Sequence, residues 1–194
     1  MDPIRNPYAP GAGTPPPELA GRSEVITEAD VALKRIAAKR PAQSPILVGL
    51  RGVGKTVLLV RIQDIAESLG FNTISVEAHE GKSLPELLVP GIRKAILSLS
   101  TVEKAKEHGR RALRVLRSFV SAVKVSIDGI EYGLSIAPEA GVADSGDLES
   151  DLPDLFLSLG AAADAAQRPI AIIIDELQYL SETEFSALIG RYIG

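Results

Sequence analysis

Gly49-Leu50-Arg51-Gly52-Val53-Gly54-Lys55-Thr56 decides how the rest of the chain is read. The octet satisfies the phosphate-loop pattern G-x-x-x-x-G-K-[ST] at every position. Its flanks suit the same reading. Ile46-Leu47-Val48 is a short apolar run fit for a buried parallel strand, and Val57-Leu58-Leu59-Val60-Arg61-Ile62 has apolar spacing that a helix can use. Glycines let the backbone curl around a polyphosphate with successive N–H groups aimed inward. The first turn of the following helix adds N–H donors and the positive end of its dipole. In this pattern Lys55 meets the β- and γ-phosphates and Thr56 offers its hydroxyl to Mg2+. Gly49 to Val57 are therefore expected to hold a nucleoside triphosphate.

A second motif lies near the other end. Pro169-Ile170-Ala171-Ile172-Ile173-Ile174-Asp175-Glu176 places five apolar residues before two carboxylates. Such a run describes a strand buried on both faces, with the acids at its C-terminal end, where open α/β sheets place their ligands. Asp175 is expected to hold Mg2+, directly or through water, and Glu176 to polarise the attacking water. An acidic turn after a core strand is common by itself. Together with the phosphate loop it makes the strong signal.

Between and around these motifs the chain alternates helices and strands. Residues 1–18 carry Pro3, Pro7, Pro10, Gly11, Gly13 and Pro15-Pro16-Pro17, which excludes regular structure and favours an extended arm, either loose or laid on the body. Residues 19–194 read as one domain. Ser23 is the expected N-cap of a helix over 24–39. A helix over 55–69 ends with Gly70 at C′, and Asn72 to Glu77 reads as a strand. Ser83 and Glu86 make a capping box for a helix to about Leu99, with Pro90 predicting a kink or break. A helix over 101–124 carries the basic run Arg110-Arg111-Ala112-Leu113-Arg114-Val115-Leu116-Arg117 beside an apolar stripe of Leu113, Leu116, Val120 and Val123. Val125 to Ile136 alternates about Asp128-Gly129, a hairpin signal that reads as decoration on the core. A polar loop over 138–150 leads to a helix over 151–166 with Pro153 in its first turn.

Composition narrows the classes. The 194 residues are 45% hydrophobic and 24% charged, an ordinary globular balance, with only 4% aromatics. A net charge of −4 advertises no general nucleic-acid affinity. With no Cys there is neither a disulfide framework nor a thiolate metal site, and His79 and His108 lack ligand-like spacing. No apolar h-region and no membrane-length run are present, so no membrane contact and a cytoplasmic location are the expectation.

With both motifs in place the chain resembles the AAA+ type P-loop ATPases (an ASCE-type NTPase fold), in the branch that includes bacterial ATP-binding, initiator-like and signalling members. Gly49 to Thr56 and Ile170 to Glu176 carry the likeness. Leu19-Ala20-Gly21-Arg22 resembles the segment that lines the adenine and ribose side in that family, and Asn6-Pro7-Tyr8-Ala9-Pro10-Gly11 resembles an opening found in its bacterial members. The resemblance implies an α/β fold, a parallel sheet flanked by helices in strand order 5-1-4-3-2, ATP and Mg2+ as ligands, Gly21 and Arg22 on the nucleotide, and a Walker A and Walker B hydrolase site. No fourth or fifth strand, sensor arginine or arginine finger can be placed after Leu180; Arg22, Arg51 and Arg191 are arginines without an assigned role. The sheet is accordingly expected to be incomplete, the chain reading as the N-terminal part of a longer ATPase, with a shorter, re-paired sheet as the competing arrangement.

Two functions follow. One is an Mg2+-dependent ATPase in which Lys55, Thr56, Asp175 and Glu176 do the chemistry. The other is a nucleotide-gated module that contacts a partner protein or DNA, through the basic run or through further chain; a fragment with little activity of its own is the third reading, and a homo-oligomer is a separate expectation. Without interleaved aromatics, the basic run reads better as a solvated face or protein contact than as a DNA surface.

Overall fold

A computed structural model describes residues 22–50, 54–124 and 136–189. The chain divides into two units, Met1–Gly70 and Phe71–Gly194. The expected arm, Gly21, the hairpin's residues 125–135 and Arg191 lie outside the described residues, as do Arg51, Gly52 and Val53.

In the first unit α1 (Ser23–Ala37) and α2 (Lys55–Ser68) are in contact. Arg22, not Ser23, occupies the N-cap of α1; the helix starts one residue early, and the Ser23 carbonyl accepts from Thr27 Oγ1 at 2.7 Å. α2 ends at Ser68 with Gly70 following its C-cap, as the sequence implies. The strand expected at Ile46 to Val48 is not formed. Residues 40–50 have no regular structure, and Val48 and Leu50 are 92% and 80% exposed. An apolar run becomes a buried strand only beside a ladder partner. Among its described residues this unit offers helices and no strand.

The second unit holds the sheet. β1 (Asn72–Glu77) and β2 (Ile170–Asp175) pair in parallel, in register from Asn72↔Ile170 to Glu77↔Asp175. They adopt the adjacency of the second and third strands in the 5-1-4-3-2 order, and among the described residues the sheet has these two strands alone. The expectation of a parallel sheet holds. β2 is less enclosed than its isoleucines suggest, since Ile173 is buried and its neighbours are half-buried.

Helices α3 (Leu84–Leu99), α4 (Lys106–Ala122), α5 (Leu148–Ala166) and α6 (Glu182–Ile189) complete the unit. Their core is aliphatic, with Leu84, Leu88, Ile92, Ile96, Leu99, Leu116, Phe119, Leu152 and Leu155 fully buried. That follows from a chain with four Phe and no Trp. α3 runs through Pro90 without a break. Burial of Leu88, Val89 and Ile92 around the proline offsets its missing N–H. α4 follows a 3-10 turn at Glu103–Ala105 and buries more than the expected stripe, adding Ala112, Val115 and Phe119. α5 starts at Leu148, earlier than the sequence suggests, which places Pro153 beyond the first turn. The buried carboxylate of Asp151 fixes the preceding loop by accepting from Gly146 N at 2.8 Å and Ser145 Oγ at 2.8 Å. Among the described residues no helix is long and apolar enough to cross a membrane.

Gly91 sets the distance between α3 and β1. A Cβ at this position would stand 2.5 Å from Ile74 Cγ2, and Ile74 is a stiff β-branched side chain in the core. Gly91→Ala gains helix propensity but overpacks this contact, and the expected net loss is about 1–2 kcal/mol in urea unfolding.

The capping box of α3 is formed as the sequence implies. Ser83 N and Ser83 Oγ donate to Glu86 Oε2 at 2.6 and 2.8 Å, and Glu86 N donates weakly to Ser83 Oγ at 3.5 Å. The backbone bond from Ser83, then its hydroxyl, hold the Glu86 carboxyl below its ordinary value of 4.5. A carboxyl lowered by folding contributes stability that is fully present above its unfolded pKa and disappears as pH falls through the folded one. Urea unfolding of wild type and Glu86→Gln should therefore differ at pH 7, and that difference should shrink below about pH 4.5.

Candidate functional site

In the first unit, Gly54 directly precedes α2. Its φ of 81° and ψ of 29° are left-handed, available to glycine without strain, and it serves as the N-cap of α2. It brings no capping side chain, and no acidic residue lies in the first turn of α2. The first N–H groups of the helix, on Lys55, Thr56 and Val57, thus stand at a positive dipole end uncapped by Gly54. The Lys55 Nζ donates to the carbonyls of Gly49 and Leu50 at 3.0 Å each. The ammonium thereby joins the first residues of the octet to its penultimate one. Lys55 is half-buried and Thr56 is exposed.

In the second unit, Asp175 is the last residue of β2, in register with Glu77 of β1. Its carbonyl accepts from Ala78 N at 3.0 Å, and its Oδ1 accepts from the Glu176 amide at 2.8 Å. Glu176 itself is left-handed, with φ 56° and ψ 39°. A side chain in that region costs about 1–2 kcal/mol, and such strain concentrates at functional sites. A 3-10 turn, Leu177–Tyr179, follows; Tyr179 N donates to the Glu176 carbonyl at 3.0 Å, and Gln178 Nε2 donates to Glu176 Oε2. The two acids expected from sequence are brought to one strand end, as anticipated.

Three further residues belong to this neighbourhood. Glu77 lies beside Asp175 because the strands are parallel and in register, which no single-strand pattern states. Gln178 reaches Glu176 through a turn without a sequence signature. Glu184 was legible in part, since Ser181-Glu182-Thr183-Glu184 repeats the S-x-x-E form of Ser83 to Glu86.

Thr56 in the first unit and Asp175 in the second each carry an oxygen donor of the kind a hard cation takes. A Thr hydroxyl and a carboxylate are oxygen ligands of the kind Mg2+ takes singly, completing its shell with substrate phosphates and water. Among the described residues no group of three or more His, Asp or Glu is placed to hold a metal.

The basic run of α4 spends much of its charge within the chain. Arg114 Nε donates to Glu139 Oε2 at 2.6 Å, and Arg111 Nε lies 3.5 Å from Glu139 Oε1. The hydrogen bond from Arg114 holds the Glu139 carboxyl below the usual range, although partial desolvation opposes it. Arg110 and Arg111 are exposed, and Arg114 and Arg117 half-buried. His79 and His108 are both exposed.

Residues 18–190 match the model of the family described as AAA ATPase domain. No curated protein and no solved structure matches the chain.

Proposed function

The chain belongs to the AAA ATPase domain family, and from that premise we propose that it binds ATP with Mg2+ and hydrolyses it. The observation that supports this reading is the posture of Lys55 at the dipole end of α2, where its ammonium donates to the carbonyls of Gly49 and Leu50. A γ-phosphate oxygen is a stronger acceptor for that ammonium than the carbonyls of Gly49 and Leu50.

The proposed roles follow from each residue's chemistry. Lys55 and the amides at the start of α2, with Gly49 to Val57, bind and orient the phosphates. Thr56 and Asp175 hold Mg2+, which when bound supplies positive charge to the β- and γ-phosphate oxygens. Glu176 accepts a proton from water as that water attacks the γ-phosphorus; the bond to the β–γ bridging oxygen breaks, and ADP leaves with the electron pair. Lys55 stabilises the charge that develops on the transferred group. Gly21 and Arg22 are proposed to line the nucleoside, and residues 19–194 to work as one ATPase domain. Adenine over guanine is proposed from the family alone.

Phosphate release from ATP and GTP, with Mg2+ and with EDTA, tests the reading. Release from ATP that requires Mg2+ and exceeds that from GTP is expected. A folded protein that retains Mg-ATP without releasing phosphate would be a binding module rather than a hydrolase. A DNA-contacting version of that module is weakened by Glu139, which engages Arg111 and Arg114.

A further inference from the structure

The turn that carries Glu176 is fastened at both ends. At its start, β2 is paired with β1 through Asp175, and the Asp175 carboxylate accepts the Glu176 amide. At its end, Ser181 N and Ser181 Oγ both donate to Glu184 Oε2, at 2.9 and 2.8 Å, and Glu184 N donates to Ser181 Oγ at 3.3 Å. That is a capping box for α6, and one carboxylate oxygen suffices for it. The other oxygen does something else. Glu184 Oε1 accepts from Leu84 N at 2.6 Å, at the first residue of α3 and one hundred positions away in sequence. Leu84 is fully buried, and α3 packs on β1, whose last residue is in register with Asp175. The turn from Glu176 to Leu180 is thereby closed into a ring running through α6, Glu184, α3, β1 and β2.

We propose that Glu184 is a positioning residue for Glu176, acting as the latch that fixes the far end of this turn. The inference rests on the hydrolytic role assigned above to Glu176. Glu176 occupies a left-handed conformation that a non-glycine residue keeps only when its surroundings over-determine it. Losing the Glu184 carboxylate, which ties Ser181 to Leu84 N, frees the turn to relax and re-aims the Glu176 carboxylate, and small misplacements of a reacting group cost rate rather than ground-state affinity. The Glu184 carboxyl has the electrostatics of a latch. Burial opposes its charge, but the donors Leu84 N, Ser181 N and Ser181 Oγ outweigh that and hold it ionised below the ordinary range.

The test compares the full chain with Glu184→Ala, Glu184→Gln and Ser181→Ala, each checked for folding by circular dichroism. Steady-state ATP hydrolysis is expected to show kcat about 10-fold lower in Glu184→Ala with KM nearly unchanged, since Lys55 and Thr56 belong to the other unit. Glu184→Gln, which keeps one acceptor, should recover part of the rate, and Ser181→Ala should fall between them. Amide hydrogen exchange over Glu176 to Ser181 should accelerate by about 10-fold in Glu184→Ala while Ile172 to Ile174 stay protected. A folded Glu184→Ala or Ser181→Ala with wild-type kcat and wild-type exchange in the turn overturns the latch. Absence of turnover in the wild type would instead overturn the hydrolytic reading, and the exchange measurement would still decide whether Glu184 holds the turn.

Discussion

Lys55→Ala is expected to lower affinity for Mg-ATP by about 100-fold or more while leaving the fold intact. The side chain is placed at the N-terminus of α2, and its contacts are the carbonyls of Gly49 and Leu50, both exposed to solvent rather than to the core. Removing it deletes the single formal charge of the octet's helix end and exposes two carbonyls that water can satisfy. Stability should therefore change little, as for most surface substitutions outside caps and core. Equilibrium titration with a fluorescent ATP analogue measures the affinity, and circular dichroism separates lost binding from lost structure. A folded Lys55→Ala with wild-type affinity would remove the octet from the phosphate site.

Glu176→Gln should do the opposite. Gln keeps the shape and the amide-side hydrogen bonding of the turn but cannot take a proton from water. Binding of Mg-ATP should remain within a few-fold of wild type, while single-turnover hydrolysis slows by about 100-fold or more, the usual scale for loss of a general base. The same left-handed conformation occurs at Lys39, Lys124, Ala143 and Gln167, so the choice of Glu176 rests on its place directly after β2 rather than on its backbone. Hydrolysis at the wild-type rate would assign water activation elsewhere. Glu77, in register beside Asp175, is then the first acid to test.

The two variants act on residues that the sequence itself singles out, and the reason is that their signals are local. Gly54 and Lys55 belong to one octet, and Asp175 and Glu176 follow one apolar run. Both strands of the sheet, Asn72–Glu77 and Ile170–Asp175, were readable to within a residue, because β-branched runs bounded by Gly70 and Pro169 leave little latitude. The Ser83–Glu86 box was readable for the same reason. What escaped the sequence is non-local or depends on a neighbour. Ile46 to Val48 has strand composition, yet composition does not supply a ladder partner, and the segment forms no strand, with Ile46 and Val48 exposed. Pro90 signals a break that burial of the surrounding helix overrides. The charge of Arg111 and Arg114 looks available until Glu139 folds back over α4. The bond from Leu84 N to Glu184 spans one hundred positions that include α4, α5 and β2, and no window of sequence contains it.

The most direct test of this account is calorimetric titration of the wild-type chain with ATP, in Mg2+ and again in EDTA. The account predicts saturable binding at one site per chain, weaker when Mg2+ is withheld, because Thr56 and Asp175 then lose the cation through which they act. A folded chain that takes up no ATP in the presence of Mg2+ would contradict it.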